Sequence, residues 1–212
     1  MQKHTILFVL GIVLLLVAAT AIEKYLQPSD SSSPESDALI IAPDHPRHLI
    51  NFSLLDQTGK EVTRQSLKHK MIVVSFLFAS CSTVCPYVNA QMAEVQHQTI
   101  HDQDVHLLSL TVDPAEDTVP VLAQYAQKLG ADPTHWSFVT GKEDVVQNLI
   151  ATSFLSHDTD TNFSFMPGNF ANSQRIALVD MNGQIVKYFD GLNLNAAHAV
   201  VQEIQKLRKS TP

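Results

Sequence analysis

The chain has 212 residues, 45% of them hydrophobic and 17% charged, and a formal net charge of −7 at pH 7. An acidic chain with no Lys/Arg cluster before its last few residues argues against a nucleic-acid partner. There is no internal repeat, and about 160 residues beyond the N-terminal region suit one domain with a proper core.

Residues 5–22, "TILFVLGIVLLLVAATAI", carry no charge. As a helix they span about 27 Å, close to the roughly 30 Å of bilayer hydrocarbon and longer than the apolar part of a secretory signal. The expectation is a transmembrane anchor, with residues 1–4 cytoplasmic on account of Lys3 and the amino terminus. Ala19-Thr20-Ala21 has the A-x-A form of a cleavage site, so removal as a signal is the alternative. No cysteine follows the run, which excludes a lipoprotein anchor. The expected location is a bacterial inner membrane, single-pass, with the soluble part facing the periplasm. Residues 23–46 include "QPSDSSSPESD" and read as a flexible tether. The domain is expected over 47–209, with 210–212 as a tail.

"NFSLLDQTGKEVTRQSL" alternates across Gly59 and predicts a hairpin. "MIVVSFLF", 71–78, is a continuous apolar run, as for a strand covered on both faces. Pro86 suits the first turn of a helix whose buried stripe is Val88, Met92, Val95 and Ile100. "VHLLSLTV", 105–112, is a second buried strand. Asp117 then caps "TVPVLAQYAQKLG", which ends at Gly130. "WSFVTG" is a strand and "EDVVQNLIATSF" a helix; a polar insertion covers 156–171. "RIALVDMNGQIVKYF" is a hairpin turning at Asn182-Gly183, and "NAAHAVVQEIQKLRK" is an amphipathic helix. The fold class is α/β: a mixed sheet with helices on both faces.

The chain's two cysteines, Cys81 and Cys85, have three residues between them. A disulfide stabilises by closing a loop, and so short a loop gains little, so a structural staple is a poor explanation. A dithiol cycling through a disulfide and a thiolate pair holding a soft metal both remain, beside two cysteines acting as small apolar residues. The pair falls where a strand meets a helix, whose N-terminal amides favour an anionic sulfur. Cα atoms four apart on a helix lie about 6 Å from each other, within disulfide range.

"CSTVCP" after an apolar strand, then "TVDPAEDTVPVLAQYAQKLG", then "WSFVTG", resembles the Sco/SenC family of cytochrome oxidase assembly proteins over nearly all of residues 50–209. The resemblance implies a thioredoxin-like domain on the outer face of an energy-coupling membrane. It implies delivery of copper to the binuclear copper site of cytochrome oxidase, or reduction of that site's cysteines. The family's two motif cysteines, here Cys81 and Cys85, bind copper with one distant histidine. Counting back from Gly183 places Asn172 at that histidine's position. An amide is a weak donor, whereas imidazole suits copper in both oxidation states. Two thiolates alone suit Cu(I) rather than Cu(II).

Among the other histidines, His157 on the insertion is the candidate replacement ligand. His97 and His101 have the i, i+4 spacing of a metal clamp but lie three or more turns from Cys85. His45 and His48 flank the end of the tether; His135 and His198 read as surface residues. Asp113 and Asp117 carry the family's acidic motif, as turn and cap, or as carboxylates tuning the thiols. Tyr87 and Phe78 are candidates to shield the sulfurs.

The expected function is therefore thiol-disulfide exchange at Cys81 and Cys85, with Cys81 attacking and Cys85 resolving, together with Cu(I) holding. The expected partner is the copper-bearing subunit of cytochrome c oxidase or another periplasmic dithiol or copper protein. A copper chaperone with a relocated ligand is the alternative. A peroxidase fits poorly, because Phe78 stands where its proline would be, although Arg175 could supply a guanidinium. A non-catalytic assembly scaffold is the remaining class.

Overall fold

The computed structural model describes residues 47–154 and 174–210. The expected anchor at 5–22, the whole tether at 23–46 with His45, the insertion at 156–171 with His157, and Asn172 lie outside them. Among the described residues no helix is long and apolar enough to cross a membrane.

The elements are β1 (Arg47–His48), β2 (Ser53–Leu55), β3 (Glu61–Thr63), β4 (Met71–Leu77), α1 (Cys85–Thr99), β5 (Val105–Thr111) and α2 (Val119–Lys128). Then follow β6 (Trp136–Val139), α3 (Glu143–Phe154), β7 (Arg175–Val179), β8 (Gln184–Asp190) and α4 (Ala196–Ser210). The main sheet has the order β1-β8-β7-β4-β5-β6, and β2-β3 is a separate hairpin. Strands β4, β5 and β6 run parallel, while β7, β8 and β1 pair antiparallel. Only β1 has no counterpart in the sequence reading; two residues leave no period to detect.

Every residue of β4 and β5 is buried because both faces of the sheet are covered. Met71, Val73 and Leu77 face α1, α2 and α4, where they meet Val88, Met92, Leu122, Val200 and Ile204. Ile72, Val74 and Phe76 face the β2–β3 hairpin and α3, among Leu54, Val62, Val146 and Ile150. The alternation of the pleat sends neighbours in the run to opposite cores. On α1 the stripe is Val88, Met92, Val95 and Thr99; Ile100 is only half-buried, at the C-cap.

Both hairpins turn on the same device. Gly59 and Gly183 donate to Asp56 and Asp180 carbonyls at 2.9 Å each, with φ of 79° and 87°. These are three-residue loops with glycine in the left-handed region, rather than a two-residue turn at Asn182-Gly183. Arg64 Nη2 donates to the Asn182 carbonyl at 2.8 Å, tying the β3 end of the small hairpin to the second turn.

His106 on β5 gives no signal of its own inside an apolar run, yet it is a buried imidazole, 6% exposed. Its Nε2 lies 3.0 Å from Ser137 Oγ, and its Nδ1 has no hydrogen-bond partner. Burial, then the charges of Lys70 and His135, push this imidazole from 6.5 down to about 4. Between those values the unfolded chain binds the proton and the folded one does not, so stability falls as pH drops. The loss from this group from pH 7 to pH 4 should be on the order of 3 kcal/mol. Urea denaturation at both pH values should show a smaller loss for His106→Gln than for the wild type. Parallel losses would mean that the imidazole is not held neutral.

Candidate functional site

The site is the turn between β4 and α1. After Leu77 the chain leaves the sheet, and the Cys81 amide donates to the Phe78 carbonyl at 3.0 Å. Helix α1 starts at Cys85 with Pro86 in its first turn, and its N-cap residue Val84 provides no side-chain cap. In place of a capping oxygen, Cys81 Sγ accepts the Cys85 amide at 3.4 Å. Thr83 Oγ1 lies 3.9 Å from the same sulfur. Cys81 thus sits before the helix rather than on it, and the pair straddles the helix start.

Both thiols are free, with exposures of 8% for Cys81 and 1% for Cys85. Burial pushes Cys81 up, but hydrogen bonds from the Cys85 thiol and amide and from Thr83 outweigh it, leaving the thiol below its ordinary value. Burial drives Cys85 the other way, to about 12. The hydrogen bond to Cys81 and that sulfur's charge add to the rise, and the Phe78 amide opposes it. One turn beyond Cys85, the buried Asn89 donates from Nδ2 to Tyr125 Oη at 2.6 Å. Burial and the Cys85 charge raise that phenol to about 12. Asn89 is legible as a polar residue four positions from Cys85, on the face that the stripe buries.

Asp117 is not a helix cap. Thr118 holds the N-cap position of α2, and the Asp117 carboxylate, 2% exposed, turns toward the cysteine loop instead. It accepts the Ala79 amide at 3.0 and 3.2 Å and the Thr111 hydroxyl at 2.5 Å. Burial raises its pKa, against those hydrogen bonds. Asp113 keeps its turn role: its amide donates to Thr111 Oγ1 at 3.0 Å, and its carbonyl accepts Asp117 N–H at 2.9 Å.

Other sequence expectations change. Tyr87 is 62% exposed and shields nothing. His135 is buried, with Nε2 3.0 Å from Thr99 Oγ1, and is no surface residue. His97 and His101 are both exposed, and α1 ends at Thr99, so their i, i+4 spacing spans a helix end. His48 and His198 are exposed. The Arg175 guanidinium lies 6.0 Å from the centre of the Tyr188 ring. Among the described residues no group of three or more His, Cys, Asp or Glu could hold a metal ion.

The arrangement offers a nucleophile poised toward its thiolate form beside a protonated, sequestered partner. It also offers two adjacent soft donors. The SCO1/SenC family model matches residues 42–209. The chain belongs to the SCO1/SenC family. A curated relative, the SCO1 protein homolog of Bacillus subtilis, is 24% identical over 156 residues, covering 73% of this chain and 79% of that protein. Among solved structures, BsSco is described as a Sco-family cytochrome c oxidase assembly protein with a disulfide switch. It is similar with a TM-score of 0.65 and 22% identity, over 81% of this chain and 99% of that one. Copper-bound yeast Sco1 is similar with a TM-score of 0.61 and 24% identity, over 79% and 96%. The fold is the thioredoxin-like Sco fold.

The unequal thiols give a direct expectation. In the native reduced chain, iodoacetamide should label Cys81 with a midpoint pH below that of the same residue in denaturant. Cys85 should resist labelling until the chain unfolds. Peptide mass spectrometry after timed alkylation reads both. Two sites labelled alike, with ordinary midpoints, would refute the assignment.

Proposed function

We propose that the chain is a membrane-anchored assembly factor for the copper site of cytochrome c oxidase, facing the periplasm and working through Cys81 and Cys85. The observation that carries this reading is the Cys81 sulfur accepting the Cys85 amide at 3.4 Å at the start of α1, an arrangement that displaces the two thiols in opposite directions. Family membership, the oxidase-assembly role named for BsSco and the copper bound by yeast Sco1 support it.

In the exchange, the Cys81 thiolate attacks one sulfur of a client disulfide. The client's S–S bond breaks, its other sulfur leaves as a thiolate, and a mixed disulfide forms. Cys81 then no longer bears the charge or the hydrogen bond that hold Cys85 protonated, so Cys85 loses its proton more readily. Its sulfur attacks Cys81, the client's second thiolate departs, and two electrons have passed to the client. An external dithiol must then reduce the Cys81–Cys85 disulfide.

Copper enters as cargo. Two adjacent sulfurs suit Cu(I), and binding requires both to lose their protons, so affinity should fall with acid. Cu(II) asks for a nitrogen donor, which Asn172 does not provide; His157 is the alternative.

The exchange is tested by mixing the reduced full-length chain with an oxidase copper-site domain whose two cysteines are oxidised. Client thiols should form in step with loss of this chain's thiols. Cys81→Ser should abolish transfer, and Cys85→Ser should trap a mixed disulfide through Cys81. Reduction that survives Cys81→Ser would sink the mechanism.

The copper half makes a separate prediction. The wild type should bind Cu(I) and hold Cu(II) poorly, while Asn172→His should gain a sulfur-to-copper charge-transfer band that either Cys→Ser change removes. A wild type that already shows this band, and loses it on His157→Ala, would make His157 the ligand and Asn172 a bystander.

A further inference from the structure

The proposed exchange needs Cys81 held over the first amide of α1, and the turn that carries it reaches both sulfurs through one residue. The Cys81 amide donates to the Phe78 carbonyl, and the Phe78 amide supports Cys85. Phe78 therefore serves both cysteines, one through its carbonyl and one through its N–H. Its orientation depends on what fixes the peptide that follows it.

That peptide ends in the Ala79 amide, which donates to both oxygens of Asp117 at 3.0 and 3.2 Å. The carboxylate is steadied from its other side by the Thr111 hydroxyl at 2.5 Å. Thr111 is the last residue of β5, held in register opposite Leu77 in the central pair of the sheet. Only 2% of Asp117 is exposed, so water competes little for these bonds, and a charge-assisted bond to a backbone amide is among the stronger ones. The carboxylate reaches the cysteine turn through Ala79.

We propose that Asp117 is a positioning residue, whose buried carboxylate transmits the rigidity of β5 through Ala79 and Phe78 to both sulfurs and so sets which cysteine reacts. This inference rests on the reading of Cys81 as nucleophile. It assigns Asp117 neither a proton-transfer role nor contact with the client. Asparagine at this position keeps the volume but offers only one acceptor oxygen and adds an N–H₂ group that cannot accept from Ala79. The loop would then lose its fixed orientation, Cys81 would move toward ordinary thiol behaviour, and Cys85 would become more accessible.

The test is competitive iodoacetamide labelling of the reduced full-length chain at neutral pH, read as the Cys81:Cys85 ratio by mass spectrometry. Asp117→Asn should lower this ratio about tenfold, the factor that corresponds to losing one hydrogen bond to a charged group, as the turn releases Cys81 from the Cys85 amide and opens access to Cys85. The midpoint of Cys81 labelling should rise with it. Arg208→Ala is the control for lost stability: Arg208 pairs with Asp104 at 2.6 Å and Asp102 at 2.8 Å, holding α4 to the loop before β5. That variant, compared at a temperature giving equal folded fraction, should keep the wild-type ratio. An Asp117→Asn ratio equal to the wild type, or a fall equally large in Arg208→Ala, would overturn the positioning role. If Asp117→Asn does not fold, Thr111→Val carries the test, since it frees one carboxylate oxygen while leaving Ala79 its acceptor. A smaller fall in the same direction supports the proposal, and an unchanged ratio overturns it. A wild type with no preference for Cys81 would instead defeat the exchange mechanism itself, so the two failures are distinguishable.

Discussion

Helix α1 begins at a cysteine whose amide is met by sulfur rather than by a capping oxygen. A helix start leaves its first N–H groups unpaired, and a Ser, Thr, Asp or Asn side chain commonly answers them. Val84 cannot. Pro86 removes one donor by having no N–H, and the Cys85 amide is met by sulfur instead. A thiolate accepts such a bond far better than a thiol, and the dipole of the helix favours negative charge at this end. The helix start and the ionised form of Cys81 therefore stabilise each other. The reactivity of the site depends on this pairing, and the surrounding turn is built to preserve it.

The short turn between Leu77 and Cys85 has little stiffness of its own, so preservation has to come from the sheet. Strands β4 and β5 lie at its centre with both faces buried. Interiors packed to crystal density do not deform continuously, which makes the ends of these strands fixed points. The Val112 amide donates to the Leu77 carbonyl at 2.8 Å, extending the pairing past the last strand residues to the foot of the turn. Thr111 and Asp117 continue the frame outward to Ala79. Ends of parallel strands are where open α/β sheets place their reactive groups, and here Cys81 follows closely on the last strand residue, Leu77. The proposed function sits at the first point where the chain leaves a rigid layer.

What the sequence discloses follows the same division. Elements whose period or punctuation is local are legible: the apolar runs of β4 and β5, Pro86 at the start of α1, Gly59 and Gly183 in their turns. The position of the cysteine pair at a strand-to-helix junction is legible for that reason. Contacts that depend on register between distant segments are not. Asp117 precedes a helix and reads as its cap, because a capping carboxylate and one reaching 38 residues back to Ala79 have identical local sequence. His135 reads as a surface residue because nothing local announces Thr99 as its partner. His106 lies inside an apolar run with no motif around it; its partner, Ser137, comes from the neighbouring strand. Tyr87 fails in the other direction, since an aromatic residue beside a reactive pair suggests shielding, yet the first turn of α1 points it outward.

The two chemistries proposed for this site ask different things of the thiols. Exchange is served by one sulfur that ionises readily and one that keeps its proton, and the two thiols are displaced in those two directions. Holding Cu(I) needs both ionised, and Cys85, raised to about 12 by burial and by its neighbour Cys81, resists this at pH 7. Part of that resistance is the charge of Cys81 and the bond between the thiols, and a cation placed between the sulfurs removes both. What remains is burial, which a metal offsets by supplying the counter-charge that solvent cannot. On the proposed reading Cu(I) would be held only by displacing a proton from a sequestered thiol, which would make its retention sensitive to acid. The same asymmetry lets the proton on Cys85 wait until Cys81 has reacted. A site arranged in this way suits the proposed exchange in its resting state and would become a metal site only when the metal itself completed the ionisation.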